Sequence, residues 1–333
     1  MALQLTRRWA ARSAALSPLR PLLLLAAGSV FCFLLITLSP IDPVEYFVGS
    51  ESGVSAEQRA LVASYWHLDK PSPERYRIWL GNILRGDLGM SLIFRRPVIE
   101  VIKERFSASL ALMFTAWALS GIFGFALGVA AGSRPHSLFD KAVRVFCFVL
   151  SSTPVFWIGL VLLMLLSVNL GWFPIGFAAP IGKPAAAVTL ADRVYHLALP
   201  ALTLSITGVA SIALHTRQKL IDVMASEYFI FARARGEGLM TAVGRHGLRN
   251  IAIPAVTLQF ASFSELFGGS VLAENVFSYP GLGNAASLAG TRGDAALFLG
   301  IALFSVMFVF AGNAAANALY RLFDPRLRGG YGH

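Results

Sequence analysis

The segment EYFIFARARGEGLMTAVGRHGLRNIAIP, residues 227–254, decides the reading of this chain. It is an Arg-rich stretch between two long apolar runs. From Arg217 to Arg249 six Lys/Arg face three acids, and Ala232, Ala234, Gly236 and Gly238 interrupt its middle. A short basic loop between spans is held on the cytoplasmic side of a membrane. Its small residues would let another protein's backbone approach closely while its arginines face water. Such a surface suits a membrane subunit on which a soluble partner acts.

Composition sets the surroundings. The chain has 333 residues, 56% of them hydrophobic and 14% charged, whereas soluble domains average roughly 25% charged. Six apolar runs, near residues 21–39, 107–132, 145–169, 197–216, 251–275 and 296–319, each approach the ~20 residues that span a bilayer as a helix. The expected fold is therefore an all-α polytopic membrane protein with six transmembrane helices. With the N-terminus inside, the cytoplasmic segments hold 16 Lys/Arg against 5 acids, and the outer segments 12 against 11. The positive-inside rule accepts this orientation and rejects its inverse. The net charge of +10 is thus topology, and nucleic acid is not an expected partner. Arg7, Arg8, Arg12 and Arg20 precede the first run and imitate a signal peptide. That run exceeds the usual length and ends in SPIDP, so it reads as an uncleaved span. Cys32 and Cys147 lie in different apolar runs and support neither a disulfide nor a metal site.

The organisation expected is a cytoplasmic segment over residues 1–20, a first transmembrane helix over 21–39, and an outer loop region over 40–106. A five-helix transmembrane core follows over 107–319, with a cytoplasmic basic loop at 217–250, and a cytoplasmic tail over 320–333. The outer loop reads as a folded flap. Residues 55–66 form a short helix with Ser55 as N-cap. Pro97 opens a second helix whose apolar residues Val98, Ile99, Val101, Ile102 and Phe106 oppose Glu100, Lys103, Glu104 and Arg105, placing it along the outer membrane surface. Gly124, Gly128 and Gly132 form a small-residue ridge for close helix packing. Pro154, in SSTPVFW (residues 151–157), kinks the third span beside hydroxyls that can satisfy freed carbonyls.

The chain shows no constellation for catalysis. The nearest imitation of a P-loop, GFAAPIGK at residues 176–183, has one residue too many between its glycines and lies on the outer side. One polar constellation lies in the fifth span: Gln259, Ser262 and Glu265, with Gly268 and Gly269 one turn on. Their spacing predicts a shared helix face. Glu265 falls roughly 16 Å past Pro254 at 1.5 Å per residue, close to mid-membrane. An ionisable group there marks a pathway by default. It would favour a cationic cargo or the amine of a peptide; a glutamate hydrogen-bonded to a neighbouring helix is the other reading. Glu274 lies about 180° around the same helix, so the two carboxylates do not chelate one ion. A secondary carrier coupled to an ion gradient, moving a small cationic solute, is the alternative class. It is disfavoured because only Glu265 lies deep in a span and no inverted repeat is visible.

Taken in order, the motifs LDKP (68–71), GDLGMS (86–91), RPV (96–98), GWFP (171–174), HLALPALTL (196–204), ENVFSYPGLG (274–283) and DPR (324–326) resemble a known group. The chain resembles a permease subunit of the dipeptide/oligopeptide/nickel family of ATP-binding-cassette (ABC) importers. ARARG (232–236), followed by RHGLRNIAIP (245–254), is similar to the coupling motif shared by importer permeases. That motif usually carries Glu-Ala-Ala before its glycine; Ile230, Phe231 and Ala232 stand there in this chain. The resemblance implies a type I importer fold in the prokaryotic plasma (inner) membrane, with both termini cytoplasmic. It implies a second homologous permease, two cytoplasmic ATPase subunits that bind the ATP and Mg, and an external substrate-binding protein. It assigns coupling to Ala232, Arg233, Ala234, Arg235, Gly236, Gly238, Leu239, Arg245 and His246. Gln259, Ser262, Glu265 and Gly269 are then candidates for the translocation pathway. This chain itself needs no cofactor or metal. Short peptides and nickel or a metal-chelate remain the two expected cargoes, with Gly268–Gly269 after Glu265 and SPIDPVEYF (39–47) leaning toward nickel.

Overall fold

A computed structural model describes residues 19–38, 55–65 and 69–323. The N-terminal arginines, SPIDPVEYF, Leu68 and the DPR motif lie outside them. Among the described residues the structure is helical, and one isolated bridge between Met90 and Pro97 is its only β-pairing.

The helices are α1 (Leu19–Thr37), α2 (Ala56–Tyr65), α3 (Ser72–Leu84), α4 (Val98–Gly132), α5 (Leu138–Ser152) and α6 (Val155–Leu162). They continue as α7 (Leu190–Met224), α8 (Glu227–Ala234), α9 (Leu239–Ala242), α10 (Leu248–Ala261), α11 (Phe263–Val276), α12 (Leu282–Thr291) and α13 (Ala295–Phe323). Two π-helical stretches, Leu163–Asn169 and Val243–Gly247, extend α6 and join α9 to α10. Among the described residues three helices are singly long and apolar enough to span a membrane: α4, α7 and the Ala295–Ala315 part of α13. Two bent pairs pass the same test of length and composition when each pair is taken as one span. Leu138–Ser152 and Val155–Asn169 meet at 108°, and Leu239–Ala261 and Glu265–Val276 at 59°. α1 holds a shorter apolar stretch, Leu25–Leu35, and the helix count among the described residues is roughly that of the six spans expected.

The chain divides into two compact units, Met1–Arg105 with Ala285–Ala311, and Phe106–Asn284 with Gly312–His333.

In the first unit α3 packs on α1. Tyr76 Oη lies 2.8 Å from Ser29 Oγ, and the Phe33 ring meets Tyr76 edge-on at 5.2 Å. The stretch from Gly89 to Val98 closes on itself through Ser91 N–H to Arg96 O (2.9 Å) and Val98 N–H to Gly89 O (3.0 Å). Fully buried Asp294 holds it. Oδ2 accepts from Ser91 Oγ at 2.6 Å and Ile93 N at 3.1 Å, and Oδ1 accepts from Leu297 N at the start of α13. The outer loop is therefore folded where it is described.

The helix expected to lie on the outer membrane surface from Pro97 is corrected here. Val98 starts a single 35-residue helix that runs on as the second span. With neither Gly nor Pro between Val98 and Ser120, nothing stops propagation, which adds a hydrogen bond for each residue fixed. Val98, Val101 and Ile102 are buried in protein, and Val98 occupies the space that a side chain at Gly300 would need.

In the second unit the glycine ridge lies against α7. A methyl group at Gly128 would fall 2.6 Å from Ala213 O and Thr216 Cβ. One at Gly124 would meet Ile212 at 2.8 Å, and one at Gly132 would meet Arg217 O at 2.9 Å. Pro154 does more than kink its span: α5 ends and α6 starts across it. Ser151 and Thr153 hydroxyls donate to Cys147 O and Val149 O, each at 2.7 Å, closing the last turn of α5 as side-chain donors can.

Candidate functional site

The Arg-rich segment folds as a compact projection at one end of α7. α8 begins after Ser226, and Gly236 turns the chain with φ +88°, a left-handed conformation natural to glycine. α9 and the π-helical stretch then lead into α10. The projection is seated on a buried apolar cluster of Leu220, Phe229, Ala242, Val243 and Ile251, flanked by Phe125, Val129 and Leu239. Its outward surface is the part the sequence marked. Arg233, Ala234, Arg235, Gly236, Gly238 and Arg245 are exposed. Ala232 is buried, while Leu239 and His246 are half-buried.

Two features of that surface were not read from the sequence. Ile230, Phe231 and Met240 stand exposed in the same segment as the basic groups, and the Arg235 guanidinium lies 5.9 Å from the Phe231 ring centroid, a mixture of apolar and arginine side chains that suits a protein–protein contact. Glu237 also braces the turn internally. Its backbone carbonyl accepts from Arg233 Nη1 at 2.5 Å, and its carboxylate faces Arg245 Nη1 at 3.5 Å and His246 Nε2 at 3.3 Å. The signal for these apolar groups was present in the alternation IFARAR, but its aromatic was overshadowed by the charges.

The polar residues of the fifth span are not brought onto one helix face. α10 ends at Ala261, Ser262 connects it to α11, and the axis bends there by 59°. Gln259 is buried against α4: its Nε2 donates to Trp117 O and approaches Ser120 Oγ at 3.2 Å, while Trp117 Nε1 donates to Gln259 O at 2.8 Å. Gly121 leaves room for the amide. Gln259 thus fastens two helices at the break. Ser262 Oγ donates to Gln259 O. Gly269 lies close against Leu204 of α7. Glu265 is exposed, beyond the break. The period of ~100° per residue applies only along an unbroken helix, which is why the expected shared face does not form.

Glu274 is a carboxylate whose role the sequence did not show. It is completely buried. Oε1 accepts from Ser109 Oγ of α4 at 2.6 Å, and Oε2 from Asn284 N of α12 at 3.0 Å; Ser109 Oγ also accepts from Leu282 N at 2.7 Å. A side chain at Gly281 would run into the carboxylate. The turn also binds the loop before α7, where Phe177 N–H donates to Phe277 O at 2.9 Å, and α7 itself holds that loop through buried His196, whose Nδ1 lies 2.8 Å from Gly176 O. Burial pushes the Tyr279 phenol above its ordinary pKa, with the Glu274 charge adding to the shift. The motif ENVFSYPGLG is thus a carboxylate-centred clasp.

A further buried pair joins α5 to α7. Asp140, completely buried, accepts from Arg217 through both oxygens: Oδ1 from Nε, and Oδ2 from Nη2 at 2.7 Å. Oδ2 also takes His136 N–H at 2.9 Å. Among the described residues no group of three or more His, Cys, Asp or Glu is placed to hold a metal ion.

Comparison with known proteins agrees with this architecture. Residues 124–329 match the family described as binding-protein-dependent transport system inner membrane component. The chain is 32% identical over 300 residues to the oligopeptide transport system permease protein AppB of Bacillus subtilis (strain 168), covering 90% of this chain and 93% of that protein. It is 34% identical to the glutathione transport system permease protein GsiC of Salmonella choleraesuis (strain SC-B67), covering 92% and 95%. It is 35% identical to the di/tripeptide transport system permease protein DppB of Pseudomonas aeruginosa (strain UCBPP-PA14), covering 90% and 94%. Among solved structures, the inward-facing MetNI methionine ABC transporter aligns with TM-score 0.51 and 18% identity, covering 68% of this chain and 97% of that one; this shows the fold alone.

The fold and these matches define a permease subunit of an ABC importer, an integral membrane component that is not itself an enzyme. The chain belongs to the binding-protein-dependent transport system inner membrane component family, in its peptide/nickel branch of type I importers. It is a multi-pass inner-membrane protein, and family membership implies ATPase and substrate-binding partners.

Proposed function

We propose that this chain moves short peptides into the cell by alternating access, driven by two ATPase subunits, one of them docked on residues 227–247. The observation that carries the reading is the projection itself: it exposes apolar Ile230, Phe231 and Met240 together with Arg233, Arg235 and Arg245, and it is seated on a buried cluster shared with α4 and α7. A soluble partner gripping that surface would move the helices beneath it. The basic excess of this segment supports a cytoplasmic position with both termini on the same side. ATP and Mg belong to the ATPases, a related second permease completes the membrane part, and a binding protein delivers cargo outside.

Peptide is preferred over nickel because the relatives above are named for oligopeptide, glutathione and di/tripeptide transport. Glu265, exposed beyond the break at Ser262, is the pathway group we assign to the cargo's amine. Gln259 and Gly269 contribute by shaping that break. Uptake of a labelled tripeptide and of labelled nickel in cells lacking only this chain tests the cargo. Loss of tripeptide uptake, restored by a plasmid-borne copy, supports the proposal; loss of nickel uptake alone overturns it.

A further inference from the structure

We infer that the Asp140–Arg217 pair is the positioning element that carries movement of the 227–247 projection into the third span. The inference rests on the reading that the ATPases act on that projection. The seam between α5 and α7 carries a cluster of small and apolar groups, Val143 and Cys147 with Ala210 and Ala213. Such a seam specifies axial register weakly. The Arg217 fork on both oxygens of Asp140 fixes it, because two parallel N–H···O bonds demand one geometry. Both partners are buried, with Asp140 fully enclosed, and Arg144 adds a second cation 3.8 Å from Oδ2.

Stability alone does not account for the pair. Replacing a buried ion pair by apolar groups of similar volume is often neutral or stabilising, and the best-attested use of such pairs is in setting register or switching. Its position supplies the link. Arg217 lies one turn before Leu220 on the same face of α7. Leu220 sits in the cluster beneath the projection, close enough to crowd a side chain at Gly247. A push on the projection reaches Leu220, then Arg217, then Asp140 in the first turn of α5, ahead of the 108° bend.

The test uses the complete importer, this chain with its permease partner, ATPases and binding protein, reconstituted in proteoliposomes. Tripeptide uptake and ATP hydrolysis are measured together. Asp140→Leu/Arg217→Met removes both charges, and Arg217→Lys keeps the charge but not the fork. The expected result is a complex that hydrolyses ATP with uptake per ATP reduced at least tenfold in the double variant and several-fold in Arg217→Lys. Wild-type uptake per ATP in the double variant overturns the inference. If the double variant does not assemble, unchanged uptake per ATP in Arg217→Lys overturns it. Phe231→Asp separates the underlying reading: normal ATPase capture and uptake there would overturn the docking assignment itself, and the inference with it.

Discussion

Ser109 and Glu274, 165 residues apart in sequence, are joined by a 2.6 Å hydrogen bond in which the serine hydroxyl donates to Oε1. The same hydroxyl receives Leu282 N–H and the other carboxylate oxygen receives Asn284 N–H. One serine and one glutamate thereby tie α4, α11 and the start of α12 together. Truncating a buried acceptor leaves its donors without partners, a loss of roughly 1–3 kcal/mol and more for a charged group. Glu274→Ala is expected to lower the thermal stability of the purified complex clearly, and Ser109→Ala to lower it less. Melting curves in detergent check the order.

Gly281 stands where any side chain would enter the Glu274 carboxylate. Gly281→Ala is therefore expected to destabilise the protein although it adds one methyl group, by about 1–3 kcal/mol as overpacking does. Gly268→Ala is the control, since nothing lies within 4 Å of its Cβ position. Similar melting temperatures for the two variants would contradict the packing described.

Gly128 meets Ala213 O and Thr216 closely enough that a larger residue must separate α4 from α7. Small residues permit backbone approach in membranes, where no hydrophobic force draws helices together. Gly128→Leu should reduce the yield of assembled complex severely. Gly244→Leu, on the exposed side of the projection with open space around it, should leave the fold intact. Size-exclusion profiles of both variants decide this.

The hairpin of residues 89–97 hangs on Asp294, which accepts from Ser91 Oγ, Ile93 N and Leu297 N. Asp294→Asn replaces one acceptor oxygen by a donor, so at least one of these bonds is lost. Residues 89–97 should then be cleaved faster by protease added to the outer side, while wild-type protein resists.

Much of this was legible before the structure. Spans could be read because ~20 apolar residues admit few alternatives, and the Gly124, Gly128 and Gly132 ridge because a period of four places small groups on one face. The outer helix at Pro97 was misplaced because amphipathicity over nine residues does not reveal whether the helix ends. The polar face of the fifth span failed at Ser262, where the axis bends and spacing arithmetic stops applying. Asp140 and Arg217 were counted as topology charges. Nothing local joins residues 77 positions apart, and their pairing exists only once α5 lies on α7. Glu274 was set apart from Glu265 by helix geometry alone, and its partners come from a turn whose path could not be derived.

The most direct test of the central claim compares Gly236→Trp with Gly236→Asn. Gly236 has a left-handed backbone that Asn tolerates, and no neighbouring atom opposes a side chain there. Strain alone should leave Asn slightly impaired and Trp folded but burdened at the docking surface. Labelled tripeptide uptake is measured in cells whose only copy is one variant, with membrane insertion checked in parallel. Substantial uptake is expected with Asn and none with Trp, both inserted normally. Normal uptake with Gly236→Trp would contradict residues 227–247 as the surface that receives the ATPase stroke.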